Sequence, residues 1–141
     1  MKNYLNRDDK MKTSKADKYF SLYIRLRDVD ENGLAKCCTC GKIGDVKYMD
    51  CGHFIKRQHM ATRFDVYNCA TQCKKCNAFE QGRDADFEKY ILNRWGEMNL
   101  NHLKVQKHIT RKYGKFELEN LAIYFKQKAE QLAKEKNLKL W

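Results

Sequence analysis

Two cysteine pairs carry the strongest chemical signal in this chain of 141 residues. Cys37-x-x-Cys40 stands in "CCTCGK" and Cys73-x-x-Cys76 in "CKKC". A two-residue gap lets both thiolates of a pair hold one ion from a single tight turn. Two such turns complete a tetrahedral sulfur shell, the form structural zinc prefers. The pairs are 32 residues apart, so the chain between them must be a folded excursion closed by metal at its base. A redox dithiol or chance cysteines would explain neither the duplication nor Gly41 directly after the first pair. Four thiolates leave no open position, so this zinc is scaffold and any catalysis must use other groups. Cys38, Cys51 and Cys69 read as small buried residues. Cys38 competes with Cys37 as a ligand, but the Cys37–Cys40 spacing is better.

A second set surrounds these turns: His53 in "DCGHFIKR", Asn68 in "VYNCATQC", Asn77 directly after the second pair, and Glu80 one helical turn later. Singly each is ordinary. A lone histidine is usually structural, and asparagines are common in turns. In this order around two zinc knuckles they resemble the His-Asn-His (HNH) nuclease motif, the ββα-metal fold. The run "IRLRD…CCTCGK…DCGHFIKR…TRFDVYNCATQCKKCN" is similar, over roughly residues 20–95, to the phage NinG family, also called Rap. That resemblance implies a recombination endonuclease for branched DNA, leaving 5′-phosphate and 3′-hydroxyl ends. Asn77 stands where many such nucleases have histidine, but it resembles the asparagine of the phage endonuclease VII family, with Glu80 at that family's glutamate. The carried-over catalytic set is His53, Asn68 and Asn77. His53 is the general base, and Asn77 with Glu80 holds a catalytic Mg²⁺, with Mn²⁺ as substitute; two oxygen ligands suit such hard ions. Asn68 ties the loop and orients His53 through the backbone. The aspartate that precedes the histidine in endonuclease VII is Gly52 here. Asp50, three residues before His53 on a strand, should point to the opposite face. His59 is the reserve base.

The elements that must position these groups are legible as patterns. A helix is expected over 13–28, capped by Thr13 or Ser14, with residues 1–12 frayed and "DENG" at 30–33 as its stop. Residues 34–96 should form the zinc-stapled core, an irregular module in which "DVKYMD" and "GHFIK" are strand-like and make a hairpin. Its last helix carries Phe87, Tyr90, Ile91 and Trp95 on one face and stops at Gly96. A helix over 100–113, ended by Gly114, would set Lys104, Lys107, His108, Arg111, Lys112 and Lys115 in one stripe. A further helix over 116–136 has the seam Leu118, Ala122, Phe125, Ala129 and Leu132, which should pack onto its own domain. The expected fold is a single α+β domain over 1–141: a zinc-stapled ββα-metal core flanked by an N-terminal helix and a basic helical tail over 100–141.

Charge points to the partner. Lys and Arg number 29 against 18 Asp and Glu, a net charge of +11. That excess favours a polyanion, nucleic acid before membrane. Residues 101–141 carry ten basic and four acidic groups, so the tail is the expected main grip. Lys56, Arg57 and Arg63 near the hairpin, with Lys104, Lys107, Arg111, Lys112 and Lys115 of the tail, are the candidate phosphate contacts. A homodimer would offer two cleavage sites to a four-way junction. The first residues lack a signal-peptide pattern and no apolar run is long enough to span a bilayer, so an intracellular protein is expected, cytoplasmic in a bacterial host if phage-encoded. Two rival functions share most of these features: a zinc-finger DNA-binding protein without catalysis, and an HNH endonuclease acting on linear duplex.

Overall fold

The computed structural model describes residues 7–141, with side chains from residue 13 onward. The first helix, α1 (Arg7–Asp28), begins six residues before the expected cap, so Thr13 and Ser14 lie within it. Of the segment expected to fray, residues 7–12 are helical, and 1–6 lie outside the described residues. The last helix, α5 (Lys115–Glu135), packs along α1. Ala16, Phe20 and Ile24 meet Leu118, Ala122 and Phe125, whereas Leu22, Leu26 and Val29 meet Ala129 and Ala133. Contacts advance in the same direction along both helices, so the pair is parallel. The small residues Ala122, Ala129 and Ala133 let the backbones approach; Ala133 is fully buried where the seam named Leu132, which is only partly buried. Lys136 closes the pair by donating to the carbonyls of Leu26 and Arg27, orphan acceptors at the end of α1, and to that of Val29 just beyond it.

The module between the two helices is built from short pieces. Strands β1 (Leu34–Lys36) and β2 (Ile43–Asp45) form one antiparallel pair. Residues 46–48 make a 3₁₀ turn where a continuous strand was expected over "DVKYMD". Strand β3 (Asp50–His53) pairs antiparallel with β4 (Cys69–Gln72), setting Cys51 opposite Thr71 and His53 opposite Cys69. The connection holds a single helical turn, α2 (Met60–Arg63). After β4 comes one π-helical turn, Lys75–Phe79, and then α3 (Asp84–Trp95), whose carboxyl end is capped by Gly96 at φ +90°. The β3–β4 pair is sandwiched. Cys51 and Cys69 pack toward α1, whereas Ala70 packs with Phe87 and Ile91 of α3.

The expected helix over 100–113 is not present as such. Helix α4 (Glu97–Gln106) stops early, with tight i→i+3 bonds at His108 and Ile109. Val105 and Ile109 are exposed, so no burial supports further turns. The chain then extends and Tyr113 packs edge-on against Phe64, 5.4 Å away. Gly114 is therefore not a helix stop. It opens α5, with its N–H donating to Glu117 Oε1. Among the described residues, no helix is long and apolar enough to cross a membrane.

Candidate metal centre and adjoining cavity

The two cysteine turns converge. The sulfurs of Cys37, Cys40, Cys73 and Cys76 all lie within 4.8 Å of one another, and Cys40 Sγ is 3.8 Å from Cys73 Sγ. Zinc–sulfur bonds of about 2.3 Å in a tetrahedron place sulfurs about 3.8 Å apart, so this cluster could hold zinc with little adjustment. Burial works to raise the Cys37 thiol, but the Thr39 hydroxyl and backbone groups of Cys40, Cys73 and Thr39 pull it down to about 6. Burial and the surrounding thiols push Cys73 up to about 12. Neighbouring thiolates repel, and a bound cation is what allows all four to ionise together.

A polar cavity of about 410 Å³ lies between α1 and the start of β3. Asp50, Cys51 and His53 line it from the strand, Asp17, Ser21 and Arg25 from α1, and Lys74 and Asn77 from the second cysteine turn. Lys47, Met49 and Arg57 complete it, giving four basic groups against two acidic ones, a setting for an anion.

His53 Nε2 is 2.9 Å from the Arg63 carbonyl. A carbonyl only accepts, so Nε2 carries the proton and Nδ1 keeps its lone pair. Burial lowers the imidazole to about 4; Arg57 adds to this, and the Arg63 carbonyl opposes it. The ring is neutral at pH 7 with one basic nitrogen, the state a general base requires. Asn68 is wholly buried, and its amide is fully occupied. Oδ1 accepts from Ile55 N at 2.8 Å, while Nδ2 donates to Ile55 O and Thr62 O at 3.0 and 3.1 Å. It fixes the loop one residue before the carbonyl that holds His53.

Asn77 Nδ2 donates to Asp50 Oδ2 at 3.0 Å, and Lys74 Nζ lies 2.8 Å from Asp50 Oδ1. Asp50 thus reaches the cavity with His53, contrary to strict strand alternation. It is the first residue of β3, at the strand's end. Gly52 cannot take over this role. A Cβ there would come 2.3 Å from Gln72 Oε1 and 3.0 Å from Phe87 Cε2. Glu80 is not brought to Asn77's cavity. It lines the one beside Cys40, Cys73 and Cys76 and pairs with Arg83 at 3.4 Å and Lys75 at 3.7 Å.

The basic residues scatter. Arg57 lines the cavity and is largely exposed. Arg63 is clamped by both oxygens of Asp17 with its side chain only 13% exposed, so it braces the loop against α1. Lys56 is held by Asp84 and the Gln81 carbonyl, on a separate cavity that includes His59 and Lys107. His59 is therefore away from His53's cavity. Lys104 pairs with Glu88, and Arg111 pairs with Glu117 and lies over the Tyr113 ring. With α4 ending at Gln106, the stripe from Lys104 to Lys115 does not form on one helix; Lys112 and Lys115 are exposed beyond it. Asp17, Ser21, Arg25, Lys47 and Lys74 were missed as cavity residues. Asp17, Ser21 and Arg25 recur every four residues, a polar stripe through an apolar helix that could have marked a lined face.

Fold and site define an α+β protein with a thiolate cluster able to hold zinc and, beside it, a basic cavity around a neutral histidine. The family model described as Bacteriophage Lambda NinG protein matches residues 4–135, and the chain belongs to that family. No curated protein and no solved structure matched the chain.

Proposed function

We propose that this phage-family protein is a Mg²⁺-dependent endonuclease that hydrolyses DNA phosphodiesters in branched recombination intermediates, inside the host cell. In this reading β3, β4 and the Lys75–Phe79 turn are an HNH-type ββα-metal core, stapled by zinc at the four cysteines. The observation that carries it is the joining of His53, Asp50 and Asn77 in one basic cavity.

The donor set fits a hard ion once the Asn77 amide turns to present Oδ1 in place of the Nδ2 that donates to Asp50. A carboxylate and an amide stand side by side, and such oxygens suit Mg²⁺ or Mn²⁺. Asp50 and Asn77 would hold it, Asp50 taking the place expected for Glu80. When bound, Mg²⁺ supplies neutralisation of charge building on the phosphoryl oxygens and the leaving 3′-oxygen. His53 accepts a proton from the attacking water at Nδ1, while Nε2 stays donated to the Arg63 carbonyl and keeps the ring from turning. Arg25, Lys47, Lys74 and Arg57 attract the scissile phosphate and its neighbours. Asn68 holds the loop on which this alignment depends.

The branched-DNA preference draws support from family membership and from the dispersal of basic residues over several faces, which can meet arms leaving one point in different directions. The test is incubation of purified protein with Mg²⁺ and a panel of four-way, flapped and linear DNAs of equal nucleotide content. Cleavage of branched DNA, with linear duplex a poor competitor, is expected. Equal cleavage of linear duplex would leave a general HNH endonuclease. Tight binding without cleavage under Mg²⁺ or Mn²⁺ would leave a zinc-finger DNA-binding protein.

A further inference from the structure

Beside His53 the cavity has two further donors that the nuclease reading does not use. Cys51, His53 and Cys69 each offer a ligand atom, and these three atoms lie within 4.8 Å of one another, the same limit met by the four-thiol cluster. The pairing of β3 with β4 creates the set. Cys51 and His53 are two residues apart and share a strand face, and Cys69 stands directly opposite His53. Cys51 and His53 line the cavity, whereas Cys69 is wholly buried beneath it. His53 Nε2 donates to a backbone carbonyl 2.9 Å away, the support that fixes a metal-ligating imidazole and leaves Nδ1 to bind.

We propose that Cys51, Cys69 and His53 form a second, soft-metal site in the floor of the cavity, with zinc as its natural occupant and a fourth position open to water or an anion. Two thiolates and an imidazole select Zn²⁺ over Mg²⁺, whereas Asp50 and Asn77 at the cavity's other end select the reverse. Binding forms two metal–sulfur bonds and one metal–nitrogen bond, and the two thiol protons leave to solvent. Because the metal takes the Nδ1 lone pair, His53 can no longer accept a proton from water. Zinc at this site therefore switches cleavage off. That consequence rests on the nuclease reading; the site itself does not.

The experiment starts from the full chain carrying one zinc, titrated with Zn²⁺ and, separately, with Co²⁺. A second equivalent should bind, release protons, and with Co²⁺ give the intense visible bands of a tetrahedral thiolate centre. Loss of an outer-shell partner costs about 10–100-fold in metal affinity, and loss of a ligand should cost more. Cys51→Ala, at a half-buried position, should therefore weaken the second equivalent by more than about 100-fold, and Cys69→Ala should do the same. Saturation at one metal in the wild type overturns the proposal, as does a second equivalent that binds both variants unchanged. In parallel, zinc added to Mg²⁺-supported cleavage should slow the wild type by about 10²-fold, the loss expected for an occupied base. Cys51→Ala should resist zinc relative to its own zinc-free rate. Absence of cleavage under every metal would remove the nuclease reading alone, because the metal count still decides the site.

Discussion

The helix pair and the cysteine module are held together by different physics. Between α1 and α5 the contact is apolar and distributed: Phe20, Ile24, Leu118, Phe125 and the small alanines share the burial, and Phe20 meets Phe125 edge-on at 4.9 Å. Each side chain there contributes a fraction of a continuous buried area. In the module the strands are three or four residues long and the ordering groups are polar and specific. Four thiols, the Asn68 amide and the Asp28 carboxylate supplement a small apolar core of Ile55, Ala70, Phe87 and Ile91. Asp28 is almost buried. It accepts from Arg27, Arg94 and both the amide and hydroxyl of Thr71, bolting α1 to β4 and α3. The polar cavity around His53 lies where the two regions meet, with one wall from each. The apolar helix α1 thereby presents Asp17, Ser21 and Arg25 to the polar side of the module.

The contrast is sharpest for Cys73→Ser. Structural zinc contributes about 10–16 kcal/mol in small zinc modules. The variant should lose zinc and protease resistance over residues 34–96 while keeping most of the far-ultraviolet signal of α1 and α5. Loss of the whole helical signal would show one cooperative unit instead of two. Next is Asp28→Asn, which leaves two arginines without their anion. Breaking a buried pair typically costs about 3–5 kcal/mol, measurable as a shift in the denaturant midpoint. Burial pushes the Asp28 carboxyl up, but Arg27, Thr71 and Arg94 outweigh it and hold it below its ordinary value. Its contribution is complete above the unfolded carboxylate value of about 4 and is lost as pH falls through the lower folded value. Asp28→Asn should therefore flatten the acid limb of stability against pH; an unchanged limb would place the acid sensitivity elsewhere. Phe125→Leu in the helix pair should cost only about 1 kcal/mol, because the seam can repack. A cost above that of Asp28→Asn would reverse the comparison. The smallest effect belongs to Lys104→Ala, which removes an exposed pair with Glu88 and should stay within about 0.5 kcal/mol.

How much of this the sequence disclosed follows the same division. The cysteine turns were legible because metal geometry imposes a spacing on neighbouring residues, and the seam of α5 because a buried helix face has a fixed period. The helix expected over 100–113 failed because its pattern was one of charge. Charge periodicity supplies no burial, and α4 ends where its apolar side chains become exposed. Gly114 was read as a stop because glycine often ends helices, but Glu117 three residues on marks a start. Asp50 was set aside by strand alternation, a rule that weakens at a strand's first residue. Glu80 came from the resemblance to endonuclease VII, but it follows the π-turn and pairs with Arg83. The grouping of Cys51 with His53 and Cys69 depends on strand register, which no local pattern reveals.

The central claim is that the neutral imidazole of His53 performs proton transfer in this cavity. The most direct measurement is the single-turnover rate of four-way junction cleavage under Mg²⁺ across pH, for the wild type, His53→Ala and His59→Ala. With burial holding His53 near 4, the wild-type rate should stay level from pH 7.5 down to about 5.5, where a solvent-exposed imidazole of ordinary pKa, about 6.5, would already be mostly protonated. His53→Ala should lose at least about 10²-fold at every pH with junction affinity unchanged, and His59→Ala should cleave normally. Normal cleavage by His53→Ala, or loss of activity in His59→Ala alone, would contradict the account.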